Sequence, residues 1–292
     1  MLASEVVQHL ANGLIAGAII ALPALGLTLI FSVLGFANFA LAAHATLGAY
    51  AAYWANTALG WPVAACLAMA FAAAGAAGLL SDKLALERLR RGTGPQIALT
   101  VAIVSIALNM MIESAVRFAF GNDLKSYNLP ILRDVRVGDI RVNPQQLENL
   151  ALAAGVMALL FAFFAFTRAG KAMRAVADNP DLARLKGIIP ERVARGANFA
   201  GMGLAGIGGM LIGLEASIDP LTGARVLLTV FAASVVGGLT SIPGAVAGAF
   251  LIGVAEELAL LVIAPIYKSA VGFAAIVLTL ALRPQGLFGR SR

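Results

Sequence analysis

Few side chains in this sequence could do chemistry, and the informative ones lie inside apolar runs. Glu113 and Arg117 stand four apart on one face of a helix, where an ion pair near a membrane interface is the expected reading. Glu256 and Glu257 fall in the middle of the apolar run 244–264. An acid at the centre of a membrane helix costs about 2.5–3.5 kcal/mol on insertion scales, so at least one of the two must face protein or water. With no basic or histidine partner beside them in sequence, a structural role is favoured over a proton relay. His9 and His44 lack companions at ligand spacing, so no metal is expected. No serine, histidine and aspartate can be argued into a catalytic arrangement, and no catalytic residue or cofactor is assigned. Cys66, the only cysteine, lies between Ala65 and Leu67 and reads as inert apolar filler; no internal disulfide can form. Gly201-Met202-Gly203-Leu204-Ala205-Gly206 matches GxGxxG, but it sits in an apolar run with no preceding strand, so a dinucleotide site is rejected. Glycine pairs at Gly13/Gly17, Gly209/Gly213 and Gly244/Gly248 have the spacing that lets membrane helices approach closely. No GxxxxGK[ST] occurs, so the chain does not hold ATP through a P-loop.

The elements that must carry these residues follow from composition. Of 292 residues 60% are hydrophobic and 12% charged, with a net charge of +6. The charged share is about half that of a soluble domain, which excludes a soluble globule, a disordered chain and a secreted disulfide scaffold. Apolar runs fall at 10–35, 36–56, 61–80, 95–120, 149–167, 196–218, 224–240, 244–264 and 266–283. Each is near the ~20 residues that cross a bilayer. The stretch 10–56 is two spans, or one span and a re-entrant piece, interrupted at Asn12-Gly13, Pro23, Gly26, Gly35 and Asn38. The run 224–240 ends in Gly237-Gly238-Leu239-Thr240-Ser241-Ile242-Pro243-Gly244 and reads as a second broken element. Irregular backbone at membrane depth survives only against protein or a water-filled cavity, so two breaks, one in each half, point to a translocation path. Ser32-Val33-Leu34-Gly35 and Ser234-Val235-Val236-Gly237 form a short echo before the two breaks. A cleaved signal peptide is not expected, since Glu5 and no Lys or Arg precede a run too long for an h-region.

Basic residues gather in 81–94, in 168–195 and in the tail 283–292, which the positive-inside rule places in the cytoplasm with the C-terminus. The stretch 121–148 holds four basic and four acidic residues and is expected outside. No basic stripe interleaves with aromatics, so nucleic acid is not an expected partner. Within 168–195, Asn179 is a good N-cap, Pro180 suits the first helical position, Asp181 favours the dipole and Gly187 marks a stop. A short amphipathic helix over 180–187 follows, with Leu182, Ala183 and Leu185 as an apolar contact and Arg184 and Lys186 beside them; the segment is either a helix that docks into a partner or a solvated basic loop.

Taken in order, these and further residues resemble the branched-chain amino acid ABC transporter permeases of the LivH type, nearly end to end. Asn12-Gly13-Leu14, Gly17, Ala21-Leu22 and Gly26 to Phe31 are similar to that family's first segment, and Asn38-Phe39-Ala40 to the start of its Asn-Phe-Ala-His-Gly signature. Arg168, Gly170, Ala172-Met173-Arg174-Ala175, Ala183 and Gly187-Ile188 resemble its cytoplasmic coupling loop. Asp219-Pro220, Gly223, Phe231, Gly237-Gly238, Ser241 to Ala245, Gly248, Gly253 and Glu256 follow its C-terminal half, and Arg283-Pro284 with Gly286 to Gly289 its terminal segment. Three positions depart from it: Leu41-Ala42-Ala43 replace His-Gly and an acid, Ile20 stands where a Tyr is usual, and Thr229 where a Lys is often found.

The resemblance implies an importer subunit in the inner (plasma) membrane. Its partners would be ATP-binding cassette ATPase subunits at 168–188, a second related permease that completes the pore, and a periplasmic solute-binding protein. The expected architecture is an all-α polytopic membrane protein, one permease domain over 1–292, with about eight membrane helices and one or two broken or re-entrant segments. The coupling residues implied are Arg168, Gly170, Met173, Arg174, Ala183 and Gly187; the path is expected at Asn38, Phe39, Ser241, Pro243, Gly244 and Glu256. Branched-chain or related amino acids are the expected cargo; relatives that move amides, urea or aromatic acids keep other small solutes open. The rival of another class is a proton-coupled carrier working through Glu256 or Glu257.

Overall fold

The computed structural model describes residues 2–90, 96–129, 135–137 and 140–289. Arg91, Arg290 and Arg292 of the basic clusters, and Arg133, Asp134 and Asp139 of the 121–148 stretch, lie outside them. The chain is an all-α polytopic membrane protein. Its helices are α1 (Leu2–Leu34), α2 (Leu41–Ala58), α3 (Val63–Ser81), α4 (Glu87–Arg90), α5 (Ile97–Phe120), α6 (Pro144–Phe166), α7 (Arg168–Asp178), α8 (Pro180–Leu185), α9 (Pro190–Glu215), α10 (Thr222–Gly237), α11 (Ile242–Ala259) and α12 (Lys268–Leu282). A π-helical turn, Asp82–Leu86, joins α3 to α4, and a 3-10 turn, Pro265–Tyr267, leads into α12. Strands β1 (Val135–Val137) and β2 (Ile140–Val142) pair antiparallel in the α5–α6 connection.

Seven stretches among the described residues are long and apolar enough to cross a bilayer; α10 is a shorter apolar helix. The open division of 10–56 resolves into two helices, α1 and α2, separated by residues 35–40. Three helices start earlier than hydropathy alone sets them, α6 and α9 for a local reason. The first run is the later part of a 33-residue helix. A capping box at Asn143, whose side chain accepts from Gln145 N while Gln146 answers its own N–H, starts α6. Pro190 at the first helical position starts α9, ahead of its basic residues.

Helices α1 and α9 form the inner layer: 83% of the central stretch of each is buried, against 6% for the stretch that ends in α12. Helix α9 packs on α1, α2 and α3, and α1 packs on α9 and α11. The small residues allow this. A methyl placed at Gly13 would come within 2.7 Å of Val254 Cα, and one at Gly253 within 2.7 Å of Gly17 Cα, so the α1–α11 seam closes at backbone distance. The GxGxxG stretch lies wholly inside α9 and is buried, where its glycines admit α1, α2 and α3 rather than a nucleotide.

One end of the bundle carries α4, α7 and α8 with their basic residues. The opposite end carries the α2–α3 turn, segment 121–129 and the α9–α10 linker. These are tied by a backbone bridge between Lys125 and Ile218, by Asn128 N donating to Asn56 Oδ1 at 2.7 Å, and by Tyr127 OH donating to the Ala49 carbonyl at 2.7 Å.

Candidate functional site

Both helix breaks anticipated in the sequence are present, and each begins with a glycine in the left-handed region: Gly35 at φ +77° and Gly238 at φ +104°. At the first break α2 lacks a capping side chain of its own. Helix α5 supplies the missing acceptors: Phe39 N donates to Ser105 Oγ at 3.0 Å and Ala43 N to Asn109 Oδ1 at 2.8 Å. Asn38 is buried and its Oδ1 accepts from Ala40 N at 3.1 Å. The Phe39 ring lies parallel on Phe231 of α10 with centroids 4.8 Å apart. His44, one turn on, donates through Nδ1 to the Ala40 carbonyl at 2.7 Å and sets Nε2 against Ser81 Oγ at 3.1 Å.

The second break is closed by the C-terminal tail. Leu287 N donates to the Val236 carbonyl at 2.8 Å and Phe288 N to the Gly237 carbonyl at 3.1 Å, so backbone from residues 283–289 caps the end of α10. Ser241 Oγ accepts from Gly244 N at 3.2 Å and caps α11, with Pro243 in its first turn. Phe39 therefore meets α5 and α10, while Asn38 bonds within its own turn; the tail meets the end of α10 at Val236 and Gly237, and Gly244 lies against Gly237. No hydrogen bond or ring contact among the described residues joins Asn38 and Phe39 to Ser241, Pro243 and Gly244.

Glu256 is buried, and Thr229 Oγ1 donates to its Oε1 at 2.8 Å. Thr229 is the position where the resemblance puts a lysine, so a neutral hydroxyl here faces the acid. Glu257 corrects the sequence reading. Lys268 Nζ of α12 pairs with its Oε1, and His9 Nδ1 of α1 lies 3.5 Å from its Oε2. The partners that sequence proximity did not offer come from the two ends of the chain. Glu113 and Arg117 form the ion pair expected of their spacing.

The basic end holds the residues implied for coupling. The segment 168–188 is more ordered than a loop with one helix: α7 is an eleven-residue helix that the sequence reading left unassigned. Thr167 caps it, accepting from Gly170 N at 3.0 Å. Gly170, Met173 and Val176 face inward at helical spacing. A methyl at Gly170 would come within 2.6 Å of Phe164 Cα, so α7 folds back on α6 at backbone distance. Arg174 Nη2 donates to the Phe164 carbonyl at 2.9 Å and binds the two helices together, while Arg168 is exposed. Asn179 caps α8 through Leu182 N at 2.9 Å, Pro180 leads it and Gly187 at φ +82° ends it, two residues after Leu185. Ala183 does not face outward with its neighbours; it is buried, and the open apolar edge is Leu182 (55% exposed), Leu185 (83%) and Ile189 (46%). Arg184 pairs with Glu191 at 2.8 Å and Arg195 with Glu87 at 3.2 Å.

Between this segment and the end of α1 lies a groove of about 320 Å³ lined by Val33, Leu34, Glu87, Arg90, Val176 and Arg195. Its floor is braced from the break side. The wide π-helical turn lets Arg90 reach back to the buried Asp82 as a bidentate pair, with Nη2–Oδ2 at 2.8 Å, and sets the guanidinium 5.7 Å from the Phe36 ring centroid. Basic segment, groove and first break are thus one connected structure.

The profile of the family described as "Branched-chain amino acid transport system / permease component" matches residues 9–280. The high-affinity branched-chain amino acid transport system permease protein BraD of Pseudomonas aeruginosa is 30% identical over 97% of this chain and 95% of its own. LivH of Escherichia coli K12, of the same description, is 29% identical with the same coverage. The probable branched-chain amino acid transport permease protein LivH of Methanocaldococcus jannaschii is 28% identical over 96% of this chain and 91% of its own. A solved structure, PsaBC from Streptococcus pneumoniae in complex with Fab, gives a TM-score of 0.49 at 14% identity, covering 99% of this chain and 98% of that one. Since the family profile runs over residues 9–280, the chain belongs to the permease component family of the branched-chain amino acid transport system.

Proposed function

We propose that this chain is the membrane-spanning subunit of an ATP-driven importer for branched-chain or related amino acids, with 1–292 as one permease domain in the inner membrane. In this reading the basic end and the C-terminus are cytoplasmic, the stretch 121–148 is external, and α7–α8 receives the stroke of ATPase subunits. A second related permease completes the path, and a periplasmic solute-binding protein delivers cargo to the opposite end. The observation that carries the reading is the build of α7–α8: an apolar edge of Leu182, Leu185 and Ile189 stands open beside a short helix that is capped by Asn179, seated by the buried Ala183 and tied to α9 by the Arg184–Glu191 pair. A surface of this kind passes a push into the bundle, because Gly170 and Arg174 leave α7 no slack against α6. Arg168, Gly170, Met173, Arg174, Ala183 and Gly187 then serve by holding the segment, and the exposed leucines by touching the partner. The path runs past Asn38, Phe39 and Glu256, with Ser241, Pro243 and Gly244 at the tail-capped break.

The test is uptake of labelled leucine into right-side-out vesicles loaded with ATP, with the cognate binding protein outside. Uptake is expected to survive a protonophore and to stop when ATP is depleted. Leu185→Glu, on the open edge, is expected to lower uptake by about tenfold or more while the chain stays in the membrane, since a charge in a packed contact costs at least ~1.4 kcal/mol. Arg174→Glu, which loses the bond to the Phe164 carbonyl, should do the same, whereas Arg174→Gln can still donate and should retain more uptake. Transport that follows a proton gradient without ATP would overturn the reading in favour of a carrier working through Glu256 or Glu257.

A further inference from the structure

Helix α5 packs on the rest of the chain along one stripe, Val101, Ser105, Leu108 and Val116. Beside that stripe, on one edge of an otherwise apolar helix, run Asn109, Glu113 and Arg117 at intervals of four residues. Asn109 is in the middle of α5 and half-buried. Its Oδ1 accepts from Ala43 N, and its Nδ2 has no acceptor among the described residues. Glu113 and Arg117 pair with each other, and the Arg117 side chain is 41% exposed. Helix α2 separates this edge from α10, where Ala224, Arg225 and Leu228 stand open, with Phe231 and Val235 half-buried beyond them. Arg225 is ion-paired with Asp219, and its side chain is 59% exposed. The stacked rings of Phe39 and Phe231 bridge α2 and α10.

A polar side chain within a membrane span faces the interior of a bundle or water, since lipid tails offer it no partner. The chain's own helices cover this edge only in part, with Asn109 half-buried, the Glu113 side chain 17% exposed and that of Arg117 41%, whereas α6 and α12 present apolar faces that suit lipid. We propose that the Asn109–Glu113–Arg117 edge of α5 and the open stripe of α10 form the water-exposed wall of the translocation path, with the Asn109 amide donating to the solute. The surface combines a free amide, an ion pair of both signs and an aromatic stack, which suits a small zwitterion with an apolar side chain. That last match rests on the import reading above; the wall itself does not.

Cysteine accessibility tests the wall without reference to any solute. In a Cys66→Ala background, single cysteines are placed at Ile106, which shares the edge of Glu113, and at Met111, on the opposite edge of the same helix. Two more go at Leu228 on α10 and Val277 on α12; all four parent side chains are at least 36% exposed on the isolated chain. Intact cells are treated with a charged, membrane-impermeant methanethiosulfonate. Ile106→Cys and Leu228→Cys are expected to react about tenfold faster than Met111→Cys and Val277→Cys, as water and lipid would dictate. Equal rates at all four, or the reverse order, overturn the wall. Asn109→Asp keeps the acceptor for Ala43 N and removes the donor; at unchanged chain level, leucine uptake is expected to fall about tenfold, as the loss of one buried hydrogen bond allows. Parental uptake by Asn109→Asp overturns the amide's role. Should labelling follow the expected pattern while uptake ignores ATP, the import reading falls and the wall stands.

Discussion

Glu256 and Thr229 show how a single hydrogen bond decides what a substitution does. Removing the carboxylate leaves a buried hydroxyl without its acceptor, and removing the hydroxyl leaves a buried acid without its donor. Each single change, Glu256→Ala or Thr229→Val, is expected to destabilise the protein by about 1–3 kcal/mol. The double change is expected to cost less than the sum, with a coupling of about 0.5–3 kcal/mol in thermal unfolding of the detergent-solubilised chain. Thr229→Lys should fold while Glu256 is present and fail in Glu256→Ala, because the ammonium then has no counter-charge. Additive losses would mean that the 2.8 Å contact does not hold α10 to α11. The neighbouring Glu257 marks the limit of reading residues along the chain. Its partners are His9 and Lys268, and only the fold of α1 and α12 onto α11 brings the three together. Asn109 was within reach of the sequence, since its spacing to Glu113 and Arg117 follows the helical repeat, but an uncharged amide draws less notice than an acid or a base.

At the scale of elements, what could be read ahead of the structure was whatever local chemistry dictates. Asn179, Pro180 and Gly187 start and stop α8 where cap and turn preferences put them; the first break falls at Gly35 and the second at Gly237-Gly238, whereas Pro23 and Gly26, expected to interrupt the run, lie inside α1 without breaking it. Helix α7 was legible and was missed: Ala169, Ala172, Met173 and Val176 recur at helical spacing, with Arg168, Lys171 and Arg174 on the other face. What that pattern does not show is that Gly170 contributes to the packed side by lacking a side chain. The tail was silent. Its residues resemble a terminal signature, yet their work is done by backbone N–H groups, which every sequence has. Truncation after Pro284 removes the donors from Leu287 and Phe288 and leaves the Val236 and Gly237 carbonyls open. A loss of about 1–3 kcal/mol per orphaned carbonyl is expected, read as a lower unfolding temperature and as earlier protease cleavage near Leu239. An unchanged melting profile would show that another group caps α10.

In the whole molecule the helices sort by what surrounds them. The inner pair, α1 and α9, is enclosed by protein, and α12 is open along most of its length. Val277→Leu on α12 should therefore change little, while Val277→Glu should cut the amount of inserted chain, by roughly the 2.5–3.5 kcal/mol that a mid-helix charge costs on insertion scales. Quantitative blotting of the membrane fraction reads the difference, and equal levels for both variants would place protein rather than lipid against α12. That the chain crosses the membrane many times was open to hydropathy, but the starts of α1, α6 and α9 and the layering of the helices were not; α1 and α12 are both strongly apolar and differ in their neighbours. One feature of this layering reaches back to the birth of the chain. The first turn of α2 takes its acceptors from Ser105 and Asn109, each 66 residues downstream of the amide it serves. While the ribosome is still making α3, those two acceptors do not exist, whereas the amides of Ala40, Leu41 and Ala42 already have local ones. The join between α1 and α2 is therefore completed by chain made 66 residues later, and Phe39 N and Ala43 N reach their final partners only once α5 has packed.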